Sequence, residues 1–307
     1  MVEPLVECVP NVSEGRNVQT IQALVAAIRA VPRVHLLDHT MDPDHHRAVL
    51  TFAGAPEAVA EAAFQVIRVA ANLIDLNRHQ GEHPRVGATD VVPFVPLKGV
   101  RLEDCNELAK RVGQRIGGQL QIPVFLYGSA ATRVDRADLA DMRRGGLQGL
   151  AKRMGSDPKW APDFGPTRLH PTAGATAVGV RPPLVAFNVN LRSRDVALAK
   201  GIAKTVRHSG GGLAGVKAMG VHLDSRRLAQ VSMNLTDLEQ TPIHVAFEAV
   251  SREAARRGVG IAGCEIVGLI PRAALSQSWE FLKSFEHLDA TNRVLEDKLG
   301  QAMGSEI

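Results

Sequence analysis

Cysteine and aromatic side chains are scarce in this sequence. Its three cysteines, Cys8, Cys105 and Cys264, are odd in number, far apart and in no C-x-x-C pair, so they read as reduced thiols and point to a reducing, cytoplasmic compartment. One tyrosine and two tryptophans leave little surface on which bases could stack, and no Lys/Arg-rich run tracks a phosphate backbone, which argues against nucleic acid. A net charge of +4 favours anionic partners only weakly. No stretch approaches the roughly 20 apolar residues of a membrane span, and the N-terminus "MVEPLVECVPN" lacks a basic start followed by an apolar run, so neither a span nor a signal peptide is expected. What remains is a chain of 307 residues, 45% hydrophobic and 22% charged, with enough apolar material for a substantial core and a length that suggests two domains.

The hydrophobic pattern repeats. In the first half it predicts a strand over 5–9, a helix over 17–31 with Ile21, Leu24, Val25 and Ile28 at 3.6 spacing, and strands over 34–38 and 48–52. A second helix starts at Pro56, and a strand over 91–95 contains Pro93, with Pro96 beside it, which argues for an edge or an irregular ladder. A helix from Leu102 and a strand over 124–127 complete this half. From Leu184 the order returns: strand, helix (196–206), two strands (216–223 and 228–235), helix (243–257), strand (265–270) and a helix from Ala273. Both halves therefore carry βαββαβ, the ferredoxin-like order of an α/β (α+β) protein. In the second, Phe187, Val189 and Leu191 alternate with Asn188 and Asn190, so one sheet face is apolar and the other polar. The Pro/Gly-rich stretch Ser156 to Thr176 reads as a linker, and a loop that long is more often functional or disordered than incidental.

Chemistry concentrates in "NRHQGEHPRVGATD", residues 77–90. His79 to His83 matches H-x-x-E-H, an inverted zinc-protease signature. That signature needs both histidines on one helical face, but Gly81 weakens a helix and Pro84 pushes His83 toward extended backbone. A zinc site is therefore disfavoured, no metal is expected, and activity should survive a chelator. The stretch could also be a solvated polar loop, or a loop carrying an acid/base histidine. "LDHTMDPDHHR", with Asp38, His39, Asp42, Asp44, His45 and His46, is another metal candidate and reads more simply as a polar turn between two strands. Gly210 to Gly215 satisfies G-x-G-x-x-G, yet a helix precedes it and a strand follows, the reverse of what a dinucleotide site requires. It reads as a helix-to-strand connection.

The segments "LVECVPNVSEGRN", "LIDLNRHQGEHPRVGATDVVPFVPL", "WAPDFGP", "AFNVNL" and "LAQVSMNLTD" resemble, in order and over nearly the whole chain, the formiminotransferase domain of the glutamate formimidoyltransferase and formimidoyltransferase-cyclodeaminase family. The resemblance implies two subdomains, here 1–180 and 181–307, with mixed sheets facing each other across a substrate tunnel, helices outside, and a homodimer. It implies transfer of a formimino group from N-formimino-L-glutamate to N5 of tetrahydrofolate, a co-substrate, in histidine degradation. The histidine of the family's G-E-H-P motif falls on His83. One imidazole of near-neutral pKa can take the proton that N5 loses and return one to the departing amine.

Both substrates are polyanions, and Arg47, Arg78, Arg85 and Arg168 are the nearest candidates for their carboxylates. The family's folate-binding segment maps to Gly165, Pro166, Thr167, Arg168, Leu169, His170, Pro171, Thr172, Ala173 and Gly174. A tryptophan replaces Ala173 in the vertebrate enzyme, so a pterin contact by that ring is not carried over. Asn188 and Asn190 on the polar strand face join the substrate candidates. The chain stops at Ile307, shortly after the second repeat, so a transferase without cyclodeaminase activity is expected. N-formylglutamate or another donor, or a folate-binding module without activity, are the competing readings.

Overall fold

The computed structural model describes residues 3–82 and 84–304, the side chain at position 286 excepted. The chain forms two compact units, residues 1–182 and 183–307.

The first unit opens with β1 (Leu5–Cys8) and β2 (Asn11–Val12), one strand course broken at Pro10. Helix α1 (Val18–Arg29) starts where the Asn17 side chain accepts from the N–H of Thr20, a cap that satisfies one of the helix's orphan donors. It buries Ile21, Leu24, Val25 and Ile28, the predicted face. The hairpin β3 (Val34–Asp42) and β4 (Arg47–Gly54) follows. Its strands run well into the polar sequence read as a turn, because cross-strand pairs such as Thr40 with Val49 and Asp42 with Arg47 outweigh the low strand propensity of Asp and His. Helix α2 (Pro56–Leu73) has proline in its first turn and buries Val59, Ala62, Ala63, Val66, Ile67 and Ala70.

Strand β5 (Thr89–Lys98) is interior, not an edge: it pairs with β1 and β2 on one side and with a parallel strand, described below, on the other. Its prolines fall where the ladder is irregular. Pro93 lies opposite the break between β1 and β2, and Pro96 borders a register shift, so the missing N–H groups are tolerated inside a sheet. Helix α3 (Leu102–Arg115) runs into a π-helical turn over Ile116–Leu120, and β6 (Val124–Gly128) follows. Two helices that periodicity did not predict, α4 (Leu139–Arg143) and α5 (Gly146–Ser156), come next, and then β7 (Thr176–Val180). Strand β7 inserts between β5 and β6, parallel to both.

The first sheet thus has a β3-β4-β1-β5 core in ferredoxin-like order, extended by β7 and β6. One face carries the main core, with Leu50, Phe52, Val92, Phe94 and Leu126 against the helices. On the other, Val91, Phe125, Tyr127 and Ala177 pack with Met142 and Leu150 from α4 and α5.

The stretch Ser156–Thr176, read as a linker, lies inside this unit and is held. Asp163 accepts from the N–H of Leu126 at 2.8 Å, from the Thr132 hydroxyl and from Arg136, a buried pair at 3.3 Å. Gly165 has φ 86°, and a Cβ there would come within 2.7 Å of the Ile122 carbonyl. The motif "WAPDFGP" is a clasp on β6. Its order comes from long-range bonds that local propensity cannot express.

The second unit follows the predicted order closely: β8 (Val185–Leu191), α6 (Val196–Val206), β9 (Val216–Leu223), β10 (Leu228–Leu235), α7 (Ile243–Arg256) and β11 (Ile261–Val267). Short helices α8 (Arg272–Gln277) and α9 (Trp279–Leu282) and the final α10 (Leu295–Met303) come after. The sheet order is β11-β8-β10-β9, with every pairing antiparallel. The glycine-rich run at 210–215 connects α6 to β9, as its sequence context required. Phe187, Val189, Leu191, Val231, Met233 and Leu235 form the apolar face, and Phe187, Phe247, Phe281 and Phe285 make an aromatic cluster with ring centroids 4.9 to 6.5 Å apart.

Candidate functional site

Three segments of the first unit meet at the histidine-bearing stretch. The first is the β2–α1 connection with Ser13 and Glu14. The second is the tight turn between β3 and β4, and the third is the loop from Asn77 to Asp90. Gly81 packs so closely on the turn that a Cβ would lie 2.6 Å from the His45 carbonyl and from the His46 Cβ. Glu82 donates its N–H to the Asp44 carbonyl at 3.3 Å. Arg85 donates to the Gly81 carbonyl, so the loop is tied on both sides of position 83. His83 itself lies outside the described residues.

His79 ends a short 3₁₀ turn (Leu76–Arg78) with extended backbone, and no helix spans 79–82. The helical face of an inverted zinc site does not form over these residues. The His79 Nε2 lies 2.8 Å from the His46 carbonyl oxygen and 3.0 Å from Arg85 Nη1. One nitrogen cannot donate to the first and accept from the second at once. The shorter contact fits Nε2–H donating to the carbonyl. Among the described residues no cluster of three or more His, Cys, Asp or Glu side chains could hold a metal ion.

Ser13, His45, His46, Arg47, Arg85 and Asp90 line a small cleft beside this loop. Asp90 is its buried anion. One carboxylate oxygen accepts the Val86 N–H at 2.6 Å and the other accepts from Arg143 of α4. Burial pushes the Arg47 guanidinium down to about 10, with Arg143 adding to the effect and Asp90 and Asp42 opposing it. Arg85 is also lowered, chiefly by burial, while Asp90 opposes. Both stay cationic at neutral pH. The cleft therefore presents positive charge to an anionic ligand.

The segment Gly165–Gly174 reaches the same place. Ala88 donates its N–H to the Ala173 carbonyl and Ala175 to the Val86 carbonyl, both at 2.9 Å. The strands approach so closely that a Cβ on Gly87 would sit 1.8 Å from the Ala175 carbonyl oxygen, and one on Gly174, where φ is 69°, 2.3 Å from that of Val86. Leu76 donates its N–H to the Thr172 carbonyl and Asn77 its amide to that of Pro171. His170 closes the turn: its Nδ1 accepts the Ala173 N–H at 3.0 Å. Partial burial lowers its pKa, and the ring is neutral with its proton on Nε2.

The structure brings Arg47 and Arg85 together with this loop, and leaves Arg78 and Arg168 exposed. Arg78 pairs with Asp75 at 3.6 Å. Thr167 is exposed and Pro166 half-buried, while Leu169 packs against the cluster of Phe125, Tyr127 and Met142. In the second unit Asn188 and Asn190 are buried on the predicted polar face. Gln230 donates to Asn190 at 2.8 Å and to Glu265, which also pairs with Arg226 at 3.2 Å. Sequence reasoning missed Glu14, Asp90, Arg143, Gln230 and Glu265. Period-2 alternation around Gln230 could have flagged that residue; nothing local marks Arg143.

Such an arrangement defines a two-unit α/β protein whose first unit gathers histidine and arginine side chains beside a tightly anchored loop. The chain belongs to the formiminotransferase family: residues 5–181 match the formiminotransferase domain, N-terminal subdomain, and residues 186–298 the formiminotransferase domain. It is 46% identical to a glutamate formimidoyltransferase of Streptococcus pyogenes over 96% of this chain and 98% of that one. It is 44% identical to a protein of the same name from Thermoplasma acidophilum over 98% and 99%. A formimidoyltransferase-cyclodeaminase of Sus scrofa is 43% identical over 92% of this chain, which spans 53% of that protein.

Proposed function

We propose that this chain is a glutamate formimidoyltransferase, moving the formimino group of N-formimino-L-glutamate to N5 of tetrahydrofolate. The observation that carries the reading is 46% identity over almost the full length of both chains to a protein named for that activity. N5 attacks the formimino carbon; the N5 proton is lost as the new C–N bond forms, and the bond to glutamate nitrogen breaks as that nitrogen gains a proton. His83 takes the first proton and supplies the second. Transfers of this kind contribute about 100 to 10,000-fold in rate.

Arg47 and Arg85 bind substrate carboxylates from the cleft, and Arg168 and Arg78, both exposed, are further candidates. The Gly165–Gly174 loop binds the folate, consistent with its backbone bonds to the His83 loop, and Asn188 and Asn190 are the second unit's own candidates for a substrate contact. We read 1–180 and 181–307 as the two subdomains of one transferase, acting as a cytoplasmic homodimer without a metal. Incubation with both substrates tests the function: 5-formiminotetrahydrofolate and glutamate should appear in equal amounts. Turnover of N-formylglutamate alone, or folate binding without turnover, would overturn it.

A further inference from the structure

The turn between β3 and β4 contains a feature that the transfer chemistry leaves unexplained. His46 sits there with φ 48°, a left-handed conformation uncommon for residues other than glycine. Each ring nitrogen meets an oxygen that can only accept. Nδ1 lies 2.7 Å from the Gln80 carbonyl oxygen, and Nε2 lies 3.2 Å from Glu14 Oε1. Glu14 stays ionised: burial opposes this, but the N–H groups of Asn17 and Arg16, together with His46, hold its pKa below the ordinary value. A neutral imidazole owns one N–H and makes one of the two bonds; an imidazolium makes both.

We propose that His46 is a positioning residue, an imidazolium latch that ties the loop carrying His83 to Glu14. The proposal rests on the reading of His83 given above. The latch is well placed for this task, since Gln80 is three residues from His83 and the adjoining Gly81 and Glu82 are also held by the turn. The His79 ring stacks on His46 at 3.9 Å with planes 19° apart. Arg47 and Arg85 share the cleft and oppose charge on His46. Glu14 favours it directly, with Asp42 and Asp44 in the same turn, while Arg16, whose guanidinium donates to the Pro43 carbonyl at 3.0 Å, opposes it; Asp90 is engaged by Arg143, and His45 and the stacked His79 are titratable neighbours.

Two substitutions separate charge from shape. In Glu14→Gln the side-chain oxygen can still accept from Arg16, Asn17 and His46, since all three bonds use Oε1, but the charge is gone. In His46→Asn the turn keeps a residue that tolerates positive φ, and the bridge is lost. Amide exchange at residues 80–82 of the full chain, corrected for the intrinsic pH dependence, reads the latch without reference to activity. In the wild type, protection should fall about tenfold as pH rises from about 5 to 8 through the histidine range, the weight of one charge-assisted hydrogen bond. Glu14→Gln should shift that fall to lower pH, and His46→Asn should remove it. Ring ¹⁵N signals of His46 should show both nitrogens protonated on the protected side. With both substrates, kcat should follow the same limb while KM stays within about twofold.

Equal protection at every pH in wild type and His46→Asn overturns the latch, as does a fall left unmoved by Glu14→Gln. A latch intact in a chain without transferase activity keeps this inference and discards the transfer reading.

Discussion

The two units share a four-strand core order and differ in what was added to it. The second is an antiparallel sheet of four strands whose polar face carries a hydrogen-bonded network of Asn190, Gln230 and Glu265. The first extends the same core with two parallel strands, and the connections that deliver them supply Arg143, Asp163 and the 165–174 loop. A repeated fold therefore does not repeat a site. Backbone contacts too close for a side chain pin loops in both units, at Gly87 and Gly174 in the first and at Gly210 and Gly212 in the second; among the described residues, the buried ion pairs Arg136–Asp163 and Arg143–Asp90 belong to the first, and the amide network to the second.

The largest expected effect tests the second unit's dependence on packing. Phe187→Ala removes the fully buried member of the aromatic cluster, beside Phe247 and Phe281, and should cost about 3–5 kcal/mol. Denaturant midpoints measure it, and exchange should show the loss in residues 183–307 before the first unit. A change under about 1 kcal/mol would mean that the cluster is not the core it resembles.

His83→Ala comes next. Turnover should fall at least about 100-fold with folate affinity held within a few-fold, because the ring moves protons more than it binds. Steady-state kinetics and folate titration decide it, and turnover near that of wild type would remove His83 from its role.

Gly87→Ala addresses the close approach between the His83 loop and the 165–174 loop. The added methyl must displace the Ala175 carbonyl, at about 1–3 kcal/mol for overpacking. Thermal or chemical unfolding should register the loss in the first unit, with exchange in the second unchanged. Both units weakened equally would contradict the separation drawn here.

The smallest effect is a pH dependence. Burial lowers the pKa of His170, so between the folded value and the unfolded one, about 6.5, the unfolded chain binds more protons and stability rises with pH. The contribution is full above about 6.5 and is lost as pH falls through the folded value. His170→Gln should flatten this slope in the first unit, seen as unfolding midpoints across a pH series; an unchanged slope would assign the dependence to other groups.

Much of this protein is set by its sequence alone. Helices α1, α2, α6 and α7 follow from 3.6-residue periodicity, and Asn17 and Pro56 mark two starts because a cap and a fixed φ act within one turn of chain. The alternation around Asn188 and Asn190 assigned both faces of the second sheet. Gly81 and Pro84 argued against a helix at His79, and the backbone over 79–82 is indeed not helical. Tertiary structure alone decided the rest. It placed a proline-containing strand in the interior, because the irregularities that accommodate Pro93 and Pro96 belong to the partner strands. It turned Ser156–Thr176 from a linker into a clasp, because Asp163 bonds to Leu126, Thr132 and Arg136 across gaps of 27 to 37 residues. It also joined Arg143 to Asp90 and His46 to Gln80 and Glu14. Those side chains are distant in sequence, and periodicity reports only which way a residue faces, not what folds back to meet it.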